Sequence, residues 1–366
     1  MAQASWKNVL VLQTSFLGDT VLTLPLIAEI RRRFPVKKLS IVCSPMAREL
    51  LHDYSAIDEI IVDDKKNGDL GFAGLRRRAA TLKSKNFTLA LTPHKSLRSA
   101  LLLRLADIPY RVGFRQSSGW FLFHERAERD PKRHDVERNL SILEPFGVNV
   151  EECVRQLDLP VSAAVQSAVD QKLAALGVVE NNPIIGINPG SVWPTKRWWP
   201  RGFARLIQLF KQKNECQLLL FGGVEDAAVV AEVQERSNVP VINLVGKIGL
   251  RELPAAISRC QIFVTNDSGP MHIAVARQVP TVAVFCATTP DLGFYPYSDD
   301  AIVLGKHLAC RPCASHGGRR CPLSTEDCIR QISPEKVLAA AEKLLLANQR
   351  RNEPGMRSFR PEFVAA

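Results

Sequence analysis

Two hydrophobic periods alternate along this chain. Short, mostly apolar runs at 8–13, 38–43, 59–62, 87–91 and 110–114 have the length and composition of buried strands. Between them, stretches 47–52, 72–85 and 97–105 carry the spacing of helices packed on one side. A Gly/Asn/Pro-rich break at 176–183 interrupts the pattern, which then resumes. Strands are predicted at 184–188, 217–221, 241–244, 262–264 and 281–285, with helices at 202–211, 225–235, 251–259 and 334–348. Strict alternation of strand and helix predicts parallel, doubly wound α/β sheets, with ligands at the C-terminal strand ends. A length of 366 residues exceeds one typical core and suggests two such domains, over 1–175 and 184–332. A closing helix at 333–349 and a loose tail at 350–366, where Pro, Gly and Arg interleave, complete the expected organisation.

Twice a strand runs straight into a helix. One junction is Asn266-Asp267-Ser268-Gly269-Pro270, followed by Met271-His272-Ile273; the other is Thr14-Ser15-Phe16-Leu17-Gly18-Asp19. Asp267 or Ser268 suits an N-cap, Pro270 a first helical turn, and Gly269 leaves no side chain in the way. Backbone N–H groups and the positive dipole end at such a junction form a ready phosphate site. A well-capped helix with no ligand competes with that reading at both places, and Asp19 reads equally as a plain cap.

Other loops at predicted strand ends carry matching chemistry. In Pro189-Gly190-Ser191 through Thr195-Lys196-Arg197-Trp198-Trp199-Pro200, small residues admit a phosphate, Thr195 offers a hydroxyl and Lys196 a charge, while the two tryptophans read as packed inward. Glu225, after Gly222-Gly223, could accept from ribose hydroxyls or face its own helix dipole. Gly246-Lys247-Ile248-Gly249 is a candidate base-binding turn. Lys95 and Arg98 follow a strand end where a bound anion would lie, whereas the triplets Arg31-Arg32-Arg33 and Arg76-Arg77-Arg78 read as solvated helix faces. Neither G-x-G-x-x-G nor a P-loop occurs, so NAD and ATPase readings lack their fingerprints. The loops converge on a nucleoside-diphosphate site in the second domain, facing Asp19 across a cleft, where Asp19 could take a proton from an acceptor hydroxyl.

Composition adds limits. Hydrophobic residues at 46% and charged residues at 23% are ordinary for a globular chain, and the formal net charge of +11 is spread over both halves. That balance suits nucleotides, phosphorylated glycolipid or an acidic membrane surface; no nucleic-acid recognition module accompanies it. The first residues lack a signal-peptide core and no apolar run reaches a bilayer span, so a cytoplasmic protein, or one peripheral at the inner membrane, is expected. Of nine cysteines, Cys43, Cys153, Cys216, Cys260 and Cys286 stand apart as buried thiols. The others cluster as Cys310-x2-Cys313-x7-Cys321-x6-Cys328, beside His307 and His316; a structural zinc, a local disulfide and free thiols all fit that spacing.

Together, Thr14 to Asp19 with Leu24-Pro25, Pro189-Gly190-Ser191 through Lys196-Arg197-Trp198, and Asp267-Ser268-Gly269-Pro270-Met271-His272 resemble the signatures of the lipopolysaccharide heptosyltransferases. Their order and spacing agree over about residues 8–346. The resemblance implies a GT-B fold of two Rossmann-like domains and an inverting, metal-independent glycosyltransferase without a cofactor. It further implies an ADP-heptose donor and a lipid A–core acceptor at the cytosolic face of the inner membrane. Carried over position by position, Asp19 matches the general base. Thr195 and Lys196 match residues at the donor phosphates, and Glu225 the ribose contact. Asp267 matches a carboxylate near the transferred sugar, Ser268 and Gly269 diphosphate-binding backbone, and His272 the family's histidine. Lys95 and Arg98 are expected on the acceptor side. The Pro-Gly-Ser and Lys-Arg-Trp wording leans toward the second heptosyltransferase. The segment 310–328 is no part of the catalytic signature, although relatives of that branch carry cysteines near it. A related transferase using another nucleotide sugar for O-chain or capsule synthesis, and a non-catalytic nucleotide-sugar-binding protein, stay open at this stage.

Overall fold

The computed structural model describes residues 6–64, 71–213, 215–350 and 358–366. The chain divides into two compact units, Met1–Asp158 and Leu159–Ala366. In the first, β1 (Asn8–Leu12), β2 (Lys38–Cys43), β3 (Glu59–Val62), β4 (Leu89–Thr92), β5 (Tyr110–Phe114) and β6 (Glu125–Ala127) form one sheet ordered β3-β2-β1-β4-β5-β6. All its pairings are parallel, with Val9 opposite Leu39 on one side and Leu89 on the other. Val9 to Leu12 are fully buried, as a central strand covered by helices on both faces must be.

The second unit continues with β7 (Ile184–Asn188), β8 (Gln217–Leu220), β9 (Ile242–Asn243), β10 (Ile262–Asn266), β11 (Thr281–Phe285), β12 (Ala301–Gly305) and β13 (Glu362–Ala365). They form a parallel sheet ordered β13-β12-β11-β10-β7-β8-β9. In both sheets the chain winds outward from its first strand, returns, and winds the other way. The reversal lies between β1 and β4 in one unit and between β7 and β10 in the other. Connections leave neighbouring strands in opposite directions there, which opens a crevice at the carboxyl ends. The helix Pro200–Lys213 buries Phe203, Leu206, Ile207 and Phe210 along one stripe against the second sheet. Trp198 seats its indole beside Phe203 and donates to the Ile332 carbonyl at 3.2 Å. Trp198 is thus wholly buried as expected, whereas Trp199 is only half-buried. No helix among the described residues is long and apolar enough to cross a membrane.

The structure departs from the expected organisation in three places. The division falls after Asp158, not at 175, because the helix Ala163–Ala175 packs on the helix Leu253–Ile257. Arg259 donates to Asp170 at 2.6 Å and Lys172 to Glu252 at 2.6 Å, so that helix belongs to the second unit. Strands β6 and β12 were not foreseen, although Ala301-Ile302-Val303-Leu304 carries a clear apolar run. The tail is not loose throughout. Residues 351–357 lie outside the described residues, but Glu362–Ala365 pairs with β12, and Ala366 donates to the Gly305 carbonyl at 3.0 Å.

Glu29 makes the stability of the first unit pH-dependent. Burial alone would raise its pKa. Hydrogen bonds from Arg32 at 2.7 Å, Arg33 at 2.5 Å and the Val154 N–H at 3.1 Å outweigh that and bring it down to about 2 from 4.5. A depressed carboxyl pKa adds stability above the unfolded value, lost as pH falls through the folded one. Glu29→Gln is expected to cost roughly 1–2 kcal/mol in urea unfolding at pH 7. The gap from wild type should close between pH 4.5 and about 2.

Candidate active site

The loop that leaves β7 is held by two asparagines at adjacent strand ends. Asn188, closing β7, donates to the Gly190 carbonyl at 3.3 Å, to Thr265 Oγ1 at 3.1 Å and to Ser268 Oγ at 3.3 Å. Asn266, closing β10, donates to the Pro189 carbonyl at 2.8 Å and accepts from the Trp198 N–H at 2.9 Å. Both side chains are buried, so each bond satisfies a group that water cannot reach. Gly190 passes so close to Asp226 that a Cβ there would stand 2.3 Å from the carboxyl carbon. Burial raises the pKa of Asp226, against the Gly223 N–H and Arg197, which favour its ionised form.

At the centre of this crevice Lys196 Nζ lies 2.6 Å from Asp267 Oδ2, with side chains only 15% and 6% exposed. The same carboxylate oxygen accepts from Thr288 Oγ1 at 2.6 Å. The Thr288 carbonyl in turn accepts from Arg311 Nη2 at 2.6 Å, and the same nitrogen reaches the Phe285 carbonyl at 2.8 Å. Thr195, which was expected at the donor phosphates, has its hydroxyl engaged with backbone: it donates to the Gly318 carbonyl at 3.0 Å and accepts from the Gly318 N–H at 2.7 Å. Gly317, at φ +82°, lies so near the Lys196 stem that a Cβ would come within 2.8 Å of its Cγ. The segment after β12 therefore clamps both neighbours of the ion pair.

Ser268 precedes the helix Gly269–Ala276 but makes no capping bond to it, and the helix opens beside Asp267. His272, in the same helix, is buried, and its Nδ1 has no hydrogen-bond partner among the described residues. Burial brings its pKa down to about 4, with Asp267 opposing and Lys196 reinforcing the shift. At neutral pH it is an uncharged imidazole. Glu225 is exposed just past the end of β8.

In the first unit Asp19 is half-buried in the helix Leu17–Leu22 and accepts from the Phe16 N–H at 3.1 Å, so it braces its own helix start. Lys95 is exposed beyond β4, at the same reversal of strand order. Arg98 differs from expectation. Its guanidinium pairs with buried Asp63 at 3.0 Å, and Arg78 pairs with the same carboxylate at 2.9 Å, which makes Arg98 a brace between elements. The four clustered cysteines are free thiols. Among the described residues, no three His, Cys, Asp or Glu side chains are disposed to hold a metal ion as placed, although the four thiols lie near enough to influence one another's charge. Cys328 sits in the hydrophobic core beside Ile329 and Ile332, while Cys313 Sγ turns to the Cys310 carbonyl at 3.3 Å.

The family model described as glycosyltransferase family 9 (heptosyltransferase) matches residues 75–322, more than half of the chain and including Lys196 and Asp267. The chain belongs to glycosyltransferase family 9. Similar chains confirm the breadth of the match. Lipooligosaccharide heptosyltransferase 2 of Campylobacter jejuni subsp. jejuni serotype O:2 is 26% identical over 90% of this chain and 96% of its own. The crystal structure of a family 9 glycosyl transferase from Veillonella parvula is 28% identical, with a TM-score of 0.83 over 94% of this chain and 98% of that one. The Escherichia coli ADP-heptose LPS heptosyltransferase II structure is 25% identical, with a TM-score of 0.76 over 93% and 99%. The two parallel-sheet units are accordingly those of the GT-B fold.

For this family 9 transferase, the sequence signatures located the ion pair but not its supports. Asn188 and Asn266 carry the signal of a polar residue ending an apolar strand. Asp226 was overshadowed by Glu225 one position earlier. Thr288 and Arg311 carry none, being linked to Asp267 only by the fold. Thr288→Val is expected to lower kcat/KM for sugar transfer by about tenfold or more, by leaving Asp267 short of a buried partner. Thr288→Ser should restore most of it. Steady-state kinetics on both variants checks this, and an active Val variant would remove Thr288 from the site.

Proposed function

We propose that this transferase moves heptose from ADP-L-glycero-D-manno-heptose onto the inner core of lipopolysaccharide, adding the second heptose, at the cytosolic face of the inner membrane. The observation that carries the reading is the buried Lys196–Asp267 pair beside the start of the helix Gly269–Ala276, at the strand-order reversal where α/β sheets take nucleotides. The names of the full-length relatives supply heptose and ADP.

In this mechanism Asp19 takes the proton of an acceptor hydroxyl as its oxygen attacks the anomeric carbon. The bond from that carbon to the β-phosphate oxygen breaks, and ADP leaves with the electron pair. Attack from the face opposite the leaving group inverts the configuration, with no sugar bound to the enzyme. Lys196 has three N–H donors, so its bond to Asp267 leaves others for phosphate oxygens. With the N–H groups and dipole of the adjacent helix, it offsets charge on the departing diphosphate, the task a divalent cation would otherwise perform. Glu225 accepts from the ribose hydroxyls, Thr195 holds the loop against Gly318, and neutral His272 contributes polarity without adding charge. Lys95 meets the anionic acceptor.

The deciding assay is transfer from ADP-heptose to lipid A cores truncated at successive sugars, with EDTA present. Product is expected on the core that already bears one heptose. Product only on the heptose-free core would make it the first transferase, and turnover with ADP-mannose alone would remove heptose from the reading. Asp19→Asn is expected to lower turnover by about a thousandfold or more while leaving ADP affinity intact. Lys196→Ala should weaken ADP binding by about tenfold or more, read by calorimetry.

A further inference from the structure

The first unit carries large apolar side chains that its own fold leaves in solvent. After β5 the chain makes one 3-10 turn, Trp120–Leu122. Leu122 and Phe123 turn inward against the core that contains Leu102 and Leu103, whereas Trp120 is 47% and Phe121 60% exposed. Their rings meet edge to face, 6.0 Å apart. The turn is fixed, not dangling. Gly119 lies so close to the helix Leu97–Leu105 that a Cβ would be 2.4 Å from the Ala100 Cβ and 3.4 Å from Leu97 Cδ1. Ser118 N–H and Ser117 Oγ both donate to the Lys95 carbonyl at 3.0 Å. Leu97, itself 46% exposed, extends the apolar surface. Single exposed hydrophobics are ordinary, but three large ones grouped on a braced turn and the adjoining helix start mark an interaction surface.

The charges around it are mostly cationic. The Arg126 guanidinium lies over the Trp120 ring, 5.4 Å from its centroid. Neither Arg126 nor Lys95 makes an ion pair with a described carboxylate. Near Lys95, Arg129 and Arg138 share the single carboxylate of Asp135. Of the acidic residues next to it in sequence, Glu128 pairs with Arg115 at 3.6 Å, while Glu125 accepts from the Tyr110 hydroxyl at 3.3 Å and keeps its charge, so the cations there outnumber the carboxylates without excluding them. Tryptophan beside arginine, on a rim with an excess of cations, is the chemistry of a lipid–water interface. The rings settle at headgroup depth and the guanidinium reaches lipid phosphate.

We propose that Leu97, Trp120 and Phe121, with Lys95 and Arg126, form the surface by which the first unit docks on an anionic phospholipid bilayer. It lies toward the carboxyl edge of the sheet, where Lys95 follows β4 and Asp19 follows β1. Docking there brings that edge to the lipid from which a lipid-linked acceptor projects. The inference deepens the reading above through its acceptor, and its test needs neither donor nor turnover.

Full-length protein is sedimented with vesicles of phosphatidylethanolamine and phosphatidylglycerol, and with phosphatidylcholine vesicles as the uncharged control. Wild type is expected on the anionic vesicles only. Trp120→Ser/Phe121→Ser should lower the partition coefficient by about tenfold or more. Trp120→Phe, which keeps an aromatic ring, should retain most binding. An unchanged partition for the double variant would overturn the proposal. So would wild-type self-association by analytical ultracentrifugation that the double variant abolishes, since the patch would then be a protein interface. On a soluble, acyl-free acceptor the double variant should transfer as wild type does. An equal loss there would assign the rings to the acceptor's sugars and overturn membrane docking. Absence of transfer by wild type, with vesicle binding intact, would fault the heptose reading and leave the docking surface standing.

Discussion

A lysine and an aspartate held 2.6 Å apart and mostly out of water set the terms for the second unit. Removing two charges from solvent costs several kcal/mol per ion, repaid only where geometry and further hydrogen bonds are good. The surroundings supply both. Thr288 gives Asp267 a second donor, Arg311 fixes Thr288 through its carbonyl, and Gly318 satisfies the residue before Lys196. Asn188 and Asn266 hold the loop between strand and lysine. The supports come from the ends of β7, β10, β11 and β12, so the pair depends on all four strands being in place. The reversal of strand order brings β7 and β10 side by side and makes the meeting of Lys196 and Asp267 geometrically available.

His272 belongs to the same balance. A protonated imidazole beside Lys196 would add a like charge in a poorly solvated place. Burial instead holds the ring neutral with a pKa of about 4, so the local charges at neutral pH remain those of lysine and carboxylate. On the proposed reading, an entering diphosphate would meet the Lys196 ammonium, its Asp267 partner and a helix start. His272, with its pKa of about 4, would add no charge to that encounter at neutral pH.

Much of this was legible because the strands announce themselves. Runs such as Val9 to Leu12 and Val282 to Phe285 are apolar throughout, as strands covered on both faces must be, and the junctions at Asp19 and Asp267 follow from such strands. What escaped has a common physical cause. β13 is an edge strand, only half of which needs to be apolar, and Phe363 is exposed; nothing local distinguishes it from a tail. The helix Ala163–Ala175 looked like the end of the first domain because its allegiance rests on Asp170 and Lys172 meeting residues some eighty positions away. Arg98 sat where an anion-binding cation should, and only the fold showed Asp63 beneath it. In each case a long-range partner decided the outcome.

The cysteine segment carries the same lesson further. Read along the chain, its spacing admits a structural zinc, a local disulfide or free thiols. Among the described residues no three such side chains are set to hold one ion, and the residues between the cysteines do the positioning: Arg311 between the first two, Gly317 and Gly318 between the second and third. Gly317 can adopt φ +82° and admit the Lys196 stem because it lacks a Cβ. Arg311 donates to the carbonyls of Phe285, which ends β11, and of Thr288 beyond it. A segment outside the catalytic signature thus sets the position of the signature's lysine. Substitutions there should act on the site through geometry, without touching a substrate.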